Sequence, residues 1–422
     1  MVTVSKSIAV AFSVLTMSLK RPSSHHDLHH QQPPQKLHKP QDSNININSD
    51  TLPSLSDLLD FSSLSSQADI HARFTQLSQS ILNDHTLFLV HQGLETEYRV
   101  LEIEFYLLKS GCHEDPYTHG TEEQRHSGRW YVYSSLPLEL SANVSLFIFS
   151  LFLHRYFHRA PTRSTSTSNR PATAAGGYRG GTRKGLDLTI AGSISSTYFK
   201  ITTPTSSLLR GGILLRTIQR KSDAVVVSGP SLLVDEILRV HGVHNISKLV
   251  QSVWGGNTMA LQSHRPTTLQ TNTSCTLSLR PSSSKDTTPV YTSSRIGLDL
   301  SHPSVTNSST DPRVIYLAKR YRYFVHPHLL TANGRGHTFL GVFLTFTCGE
   351  SSDDDERALK ETIKITGLKE KTALKYLADY RAGVQRGSLD SFIGSSGKGA
   401  SASPSTYLKM MGTLVKSTQG HT

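Results

Sequence analysis

The chain has 422 residues, carries a formal net charge of +12 and is 36% hydrophobic, which favours one sizeable core with disordered ends and insertions over several domains. Cys112, Cys275 and Cys348 are too few and too scattered for a disulfide framework or a zinc site, so we expect a reducing compartment. The basic charge favours contact with polyanions such as nucleic acid or an anionic membrane, and a generally basic soluble protein is the alternative.

The N-terminal region, residues 1–55, is predicted to be basic and disordered. Its first 26 residues contain no acidic side chain, which also leaves a mitochondrial presequence or a secretory signal open. A histidine-rich tract follows and is interpreted as a solvated linker in preference to a metal site. Apolar residues at helical spacing then predict a helix over 55–82, and a strand is expected at 86–91.

Apolar and polar residues alternate in the segment Leu-Glu-Ile-Glu-Phe-Tyr-Leu at 101–107, as is typical of a β-strand. Successive side chains of a strand point to opposite faces, so Glu102, Glu104 and Tyr106 share one face. A short acidic turn, Glu-Asp-Pro-Tyr-Thr-His, ends a few residues later at His119. A carboxylate beside a phenol and an imidazole can activate water against a flat substrate. Solvent-facing acids on an exposed strand are the alternative.

The next segment, residues 131–155, interrupts this pattern with an apolar run at 144–153. That run is too short to cross a bilayer, which needs about 20 residues. Joining residues 128–130 directly to 156–159 would give one aromatic strand. We therefore predict that 131–155 is an insertion, retained as non-coding sequence in the gene model, with a buried strand or helix as the alternative. The Ser- and Thr-rich residues 260–290 are predicted to be a second insertion.

Two amphipathic helices, broken at Gly367, are predicted for the C-terminal part of the chain over 357–381. The acidic run before them suits a helix start, where negative charge is favourable. Residues 387–422 are predicted to be a disordered tail.

Several segments resemble motifs of the alkyladenine (3-methyladenine) DNA glycosylase family and keep the family's order, over roughly residues 70–330. They are the strand at 101–107 with the turn ending at His119, Gly212-Ile-Leu-Leu-Arg216, Ser228-Gly-Pro-Ser-Leu-Leu233 before a helix, a late strand at Arg295-Ile-Gly-Leu298, and Tyr321-Arg-Tyr-Phe324. The resemblance implies an α+β fold: a single mixed α/β domain at 56–345 around a curved antiparallel sheet with a protruding β-hairpin, similar to the C-terminal domain of formyltransferases. A helical segment at 346–386 would follow it.

Roles for the central residues are implied by the resemblance. Glu104 would deprotonate the attacking water and stabilise an oxocarbenium-like transition state, and Glu102 would be structural. Arg216 would lie at the pocket and hold the catalytic water. Tyr106 and His119 would stack on a purine flipped out of the duplex.

Contacts with DNA are also implied by the resemblance. Tyr178 or Arg179 would sit at the tip of the hairpin, filling the gap left by the flipped nucleotide, and Tyr131-Val132-Tyr133 is one of two candidates for the hairpin's aromatic strand. Arg179, Arg183 and Lys184 would contact phosphates, with a solvated basic loop as the alternative. Ser228 and Gly229 are assigned to DNA contact as well.

The resulting prediction is a monofunctional glycosylase that acts as a monomer on double-stranded DNA containing damaged purines. It would need no metal or other cofactor, make no membrane contact, and work in the nucleus or the mitochondrion. The catalytic strand core contains no lysine for a Schiff-base lyase step. The alternatives are an inactive nucleic-acid-binding relative and a membrane-associated protein that uses the apolar run.

Overall fold

The computed structural model describes residues 53–119, 121–134, 184–192, 208–261, 276–283, 287–347 and 352–419. The α-helices in these ranges are α1 (Leu55–Leu58), α2 (Gln67–Gln79), α3 (Pro230–Val240), α4 (Ile246–Lys248), α5 (Pro312–Ala318), α6 (Arg335–Phe346), α7 (Ser352–Thr366), α8 (Glu370–Arg386) and α9 (Pro404–Gln419). The strands are β1 (His85–His91), β2 (Leu94–Lys109), β3 (His113–Glu114), β4 (Trp130–Ser134), β5 (Lys184–Thr189), β6 (Leu209–Arg220), β7 (Val226–Ser228), β8 (Thr276–Pro281), β9 (Tyr291–Ser293) and β10 (Arg322–Phe324). The predicted disordered region 1–55 lies almost wholly outside the described residues.

A tight hairpin joins β1 to β2. Its two loop residues, Gln92 and Gly93, have φ values of 51° and 79°. Positive φ at both loop positions is the pattern of a type I′ turn, whose twist matches that of paired antiparallel strands. The register runs from Leu87 opposite Tyr98 to His91 opposite Leu94. The predicted strand at 86–91 is confirmed.

Strand β2 lies at the centre of a curled antiparallel sheet. The main path of the sheet has the order β4-β5-β6-β2-β1-β8. Strand β10 pairs with β2 at residues 102–104, and β9 continues the sheet beyond β10. Residues 102–104 therefore lie between β6 on one side and β10 on the other, where backbone hydrogen bonds fix their position.

The apolar face of β2 is covered by α2. Ser66 caps the N-terminus of α2 by accepting a hydrogen bond from the backbone N–H of Asp69. The Phe74 ring then stacks on the Phe105 ring, with 4.3 Å between centroids, and Tyr321 meets Phe74 edge-on at 5.1 Å. The predicted helix over 55–82 is thus two helices, α1 and α2, joined by a short connection.

The predicted insertion at 131–155 is wrong for its first residues. Residues 131–134 belong to β4, which pairs with β5 from Trp130 opposite Leu188 to Ser134 opposite Lys184. Trp130 is 3% exposed and its indole N–H donates to the carbonyl of Leu277. Because these contacts tie β4 into the core, it is part of the sheet. The remainder of the proposed insertion and the connection from β4 to β5 lie outside the described residues.

Two further predictions about strands need correction. The second insertion, 260–290, contains β8, which pairs with β1 from His85 to Val90 and buries Leu277 and Leu279. Alternation of these leucines with polar residues produced a strand within Ser- and Thr-rich sequence. The strand predicted at 295–298 ends earlier, at Ser293, and Gly297 lies beyond it in a turn with φ of 85°.

The C-terminal helices pack onto the domain, and the predicted disordered tail is wrong for residues 387–419. Helices α7 and α8 are present around the break at Gly367. Helix α9 then folds back on α8, burying Tyr407, Leu408, Met411 and Leu414. The Tyr407 ring stacks on His337 of α6 at 3.5 Å. Apolar spacing along one face of α9 outweighs the Gly- and Ser-rich sequence before it.

The predicted fold class is confirmed: the protein is α+β and is built around a curved antiparallel sheet with helices on its faces. No described helix is both long enough and apolar enough to span a lipid bilayer.

Candidate functional site

Three neighbouring strands bring two carboxylates to one face of the sheet. Leu214 of β6 lies opposite Glu104 of β2 on one side and opposite Asp187 of β5 on the other. Directly opposed residues of antiparallel strands point to the same face, so both carboxylates share it with Leu214. Strand spacing of about 4.8 Å places the Cα atoms of Glu104 and Asp187 roughly 10 Å apart.

Glu104 is buried completely and is held by donors from three parts of the chain. Its Oε2 accepts hydrogen bonds from the hydroxyl of Tyr106 at 2.9 Å and from Nη1 of Arg216 at 3.3 Å. Its Oε1 accepts from the backbone N–H of Ile296 at 2.7 Å. Charge-assisted bonds of this kind hold an ionised carboxylate in one orientation. The alternative of solvent-facing acids is therefore wrong for Glu104.

Arg216 reaches the carboxylates from an irregularity in the ladder between β2 and β6. The pairing shifts register between Val100 and Ile103, and Arg216 is left without an opposed residue. Such β-bulges turn side chains out of the regular alternation. The guanidinium lies 3.3 Å from Oε1 of Glu102 and 3.3 Å from Oε2 of Glu104. These acids raise the pKa of Arg216 although burial opposes it, so the group stays cationic.

Tyr106 is held between an acid and a cation. Burial and the Glu104 carboxylate raise the pKa of Tyr106 well above its ordinary value, so its hydroxyl remains a donor. The Arg295 guanidinium lies 4.5 Å from the centre of the Tyr106 ring, a cation–π contact. Arg295 is in turn paired with Asp115 through two hydrogen bonds of 2.5 and 3.1 Å. This buried pair fixes the residues around Ile296, whose N–H binds Glu104.

Aromatic side chains line the site beside Tyr106. The His119 ring lies 5.2 Å from that of Tyr133, which stacks on Tyr131 at 5.5 Å. Tyr131 lies opposite Asp187 in the ladder between β4 and β5, so Tyr131 and Tyr133 share the face of Asp187. Burial raises the pKa of Tyr133, and the charge of Asp187 adds to this effect. Of the two predicted stacking residues, Tyr106 contacts Glu104 and His119 contacts Tyr133.

Asp187 was not identified from the sequence. It is 2% exposed, and its Oδ2 accepts a hydrogen bond from Nε2 of Gln124 at 2.9 Å. Its Oδ1 is buried and accepts no hydrogen bond in the described part of the protein. Burial, followed by the charge of Glu104, raises the pKa of Asp187 to about 7. A Cβ atom on Gly212 would come within 3.0 Å of the Asp187 side chain, so a glycine is needed beneath it.

Glu102, predicted to be structural, has a different environment. Its Oε1 accepts from Nε of Arg322 at 2.6 Å, and its Oε2 accepts from the hydroxyl of Thr217. Arg322 completes its own bonding with the hydroxyls of Ser293 and Thr338, each at 3.0 Å. Nearby arginines lower the pKa of Glu102 despite its burial. Protein groups use both oxygens of Glu102, and its structural role stays a prediction.

Of the residues assigned to DNA contact, Lys184, Ser228 and Gly229 lie in the described part of the protein, and each makes a contact within the fold. Lys184 forms an ion pair with Asp235 of α3. The backbone N–H of Gly229 donates to the carbonyl of Arg216 at 2.8 Å, and Ser228 ends β7 just before it, so this segment fixes the start of α3 against β6. Tyr178, Arg179 and Arg183 lie outside the described residues, and their roles stay predictions. Among the described residues, no cluster of three or more His, Cys, Asp or Glu side chains could hold a metal ion.

The arrangement can perform acid–base chemistry on a flat substrate. Glu104 is a fixed carboxylate with one of its four acceptor positions unused, because three donors occupy the others. Asp187 is a second carboxyl, and burial raises its pKa to about 7. Aromatic rings lie alongside them. Carboxyl groups held in different environments on one surface can serve as an acid and a base.

Comparisons with known proteins name no activity. No protein-family model matches the chain. The chain is 27% identical over 194 residues to the uncharacterized protein L759 of Acanthamoeba polyphaga mimivirus, a match that covers 44% of this chain and 68% of the viral protein. The likeness to DNA glycosylases therefore stays a prediction from sequence motifs.

Proposed function

We propose that the protein is a monofunctional DNA glycosylase that hydrolyses the N-glycosidic bond of alkylated or deaminated purines in double-stranded DNA. The observation that carries the proposal is the buried carboxylate of Glu104, bonded to Tyr106, Arg216 and the Ile296 N–H beside aromatic rings. Its partner would be duplex DNA, bound by a monomer in the nucleus or, alternatively, in the mitochondrion. The net charge of +12 supports binding to a polyanion.

The mechanism begins with removal of the damaged nucleotide from the stack. A flipped purine would lie against the rings of Tyr106, Tyr133 and His119, where an electron-poor alkylated base stacks favourably on electron-rich aromatics. This contact selects a damaged base by its electron deficiency, with no need for a base-specific hydrogen-bond pattern.

Bond cleavage then uses Glu104. A water hydrogen-bonded to the carboxylate attacks the anomeric carbon as the bond to the purine nitrogen breaks, and Glu104 takes the proton that the water loses. The developing oxocarbenium charge is stabilised by the same carboxylate. Tyr106 and Arg216 hold the carboxylate in place, because both donate to its Oε2.

A second candidate is a nucleic-acid-binding relative without hydrolytic activity. The observation that favours it is the number of donors on Glu104, because three hydrogen bonds leave one acceptor position for a catalytic water. In that case the aromatic and basic residues would bind damaged DNA, and no base would be released.

Base release from a duplex distinguishes these functions. The full chain is incubated with a duplex carrying one hypoxanthine or one ethenoadenine, beside the Glu104→Gln variant and the control Glu97→Gln. Glu97 lies on the same strand, where it pairs with Lys221 at the surface. We expect release by the wild type and the control, and a fall of about 10²–10⁴-fold in Glu104→Gln. Tight binding without release would support the binding protein, and neither binding nor release would refute both.

A further inference from the structure

Three consecutive residues, Ser294, Arg295 and Ile296, follow the end of β9 at Ser293 and supply one of the donors to Glu104. The backbone N–H of Ile296 donates to Oε1 of that carboxylate at 2.7 Å. A hydrogen bond of this kind holds an ionised carboxylate only if the backbone that donates it is itself fixed. The segment lies outside any strand, so its position depends on what contacts it from other parts of the chain.

The first residue of the segment is held by the C-terminal helix α9. The hydroxyls of Ser294 and Tyr407 lie 2.7 Å apart and share a hydrogen bond, and both residues are at most 3% exposed. The Oγ of Ser294 also lies 3.8 Å from Sδ of Met411, one turn further along α9. Because a buried hydroxyl has no water to replace a lost partner, this bond fixes Ser294 against α9.

The last residue of the segment is held by the first turn of α6. A Cβ atom on Gly334, the N-cap of α6, would collide with Cδ1 of Ile296, so the backbone of α6 lies directly against the Ile296 side chain. Tyr407 supports this turn as well. Its ring stacks on that of His337 at 3.5 Å, and a Cβ atom on Gly336 would come within 3.1 Å of the same ring. Tyr407 therefore acts on the segment at both ends.

We propose that Tyr407 is a positioning residue for the catalytic carboxylate of Glu104. It holds the donor, the N–H of Ile296, from two sides: through Ser294 and through the first turn of α6. Helix α9 lies beyond residues 70–330, over which the chain resembles the glycosylase family, so the resemblance implies no role for it. The effect on catalysis rests on the proposed glycosylase function, whereas the position of the donor can be measured without a substrate.

The Ile296 donor has a defined effect on the reaction. It binds Oε1 of Glu104, while Tyr106 and Arg216 bind Oε2. With all three donors in place the carboxylate is held against rotation about its Cγ–Cδ bond, and its unused acceptor position faces one direction. Loss of the Ile296 donor frees Oε1 to turn away from the water that it must deprotonate. A misplaced base slows the chemical step, whereas DNA binding depends on other contacts.

Amide hydrogen exchange of Ile296 tests the position of the donor. The full chain, made with isotope-labelled isoleucine, is compared by NMR with Tyr407→Phe and Ser294→Ala, each of which removes one hydroxyl of the shared bond. The control is Tyr98→Phe, which removes another buried tyrosine hydroxyl, one that donates to Glu236 in α3. We expect the Ile296 amide to exchange about tenfold faster in both test variants and in their double variant, and at the wild-type rate in the control.

Base release then separates positioning from a general loss of stability. With a duplex carrying hypoxanthine, Tyr407→Phe should lower kcat about tenfold and change KM less than about twofold, while Tyr98→Phe should change neither. An unchanged exchange rate of Ile296 in both test variants would overturn the positioning role, and so would an equal increase in the control or an unchanged kcat in Tyr407→Phe. If the wild type releases no base, the glycosylase function is refuted, and the exchange rates alone decide whether Tyr407 holds the donor of the carboxylate.

Discussion

Glu102 and Glu104 lie two residues apart on one strand and point to one face, yet their surroundings differ. Glu102 lies in a closed cluster in which Arg322, Arg216 and Thr217 contact its two oxygens. Arg322 also donates hydrogen bonds to the hydroxyls of Ser293 in β9 and Thr338 in α6. Glu104 shares Arg216 but bonds to Tyr106 and lies on the same face as Asp187, whose Oδ1 accepts no hydrogen bond within the described ranges. A closed cluster serves stability, whereas an incomplete one is available for a ligand.

Removing the charge of Glu102 should produce the largest loss in the free energy of unfolding. Glu102→Gln leaves Arg322 buried beside a neutral group, and we expect the free energy of unfolding to fall by about 3–5 kcal/mol. Glu104→Gln should cost less than half as much, because Arg216 still has Glu102. Chemical denaturation of both variants measures the two changes. Equal losses would contradict the distinction between a structural and a functional carboxylate.

The sequence predicted the two faces of this strand but could not predict what covers them. Alternation within 101–107 is local, so the shared face of Glu102, Glu104 and Tyr106 followed from it. The covering groups are remote in sequence: Arg322 is 220 residues from Glu102. Asp187 was missed for the same reason, since only strand register places it opposite Leu214. The α9 helix was missed because Ser and Gly before it concealed the apolar face around Tyr407.

The environment of Asp187 can be tested by measuring how the free energy of unfolding depends on pH. The pKa of Asp187 is about 7 in the folded protein and 3.8 ordinarily, so between these values the unfolded chain ionises first and the folded wild type loses stability as pH rises. Asp187→Asn does not lose this stability, because asparagine does not ionise. We expect the variant to be equal to the wild type near pH 4 and more stable above pH 7, by up to roughly 4 kcal/mol.

Thermal unfolding from pH 4 to pH 8 records this difference. The control Asp223→Asn, an exposed pair on a surface turn, should change stability by less than about 0.5 kcal/mol at either end. A wild type that gains stability relative to Asp187→Asn as pH rises would mean that a cation pairs with Asp187 in solution, and the cluster would then be closed like that of Glu102.

The hydroxyl of Tyr106 provides the smallest and most specific test. Tyr106→Phe removes the donor to Oε2 of Glu104 but keeps the ring over Arg295. A hydrogen bond to a charged group is worth about 1.5–3 kcal/mol, so release of either lesion should slow by about tenfold to a hundredfold. Tyr117→Phe is the matched control, because Tyr117 also lies over Arg295, at 5.4 Å, while its hydroxyl donates to backbone carbonyls. Single-turnover rates for both variants decide the point. Both variants keep their rings over Arg295, so similar losses in the two would show that the bond from Tyr106 to Glu104 has no specific part in the reaction.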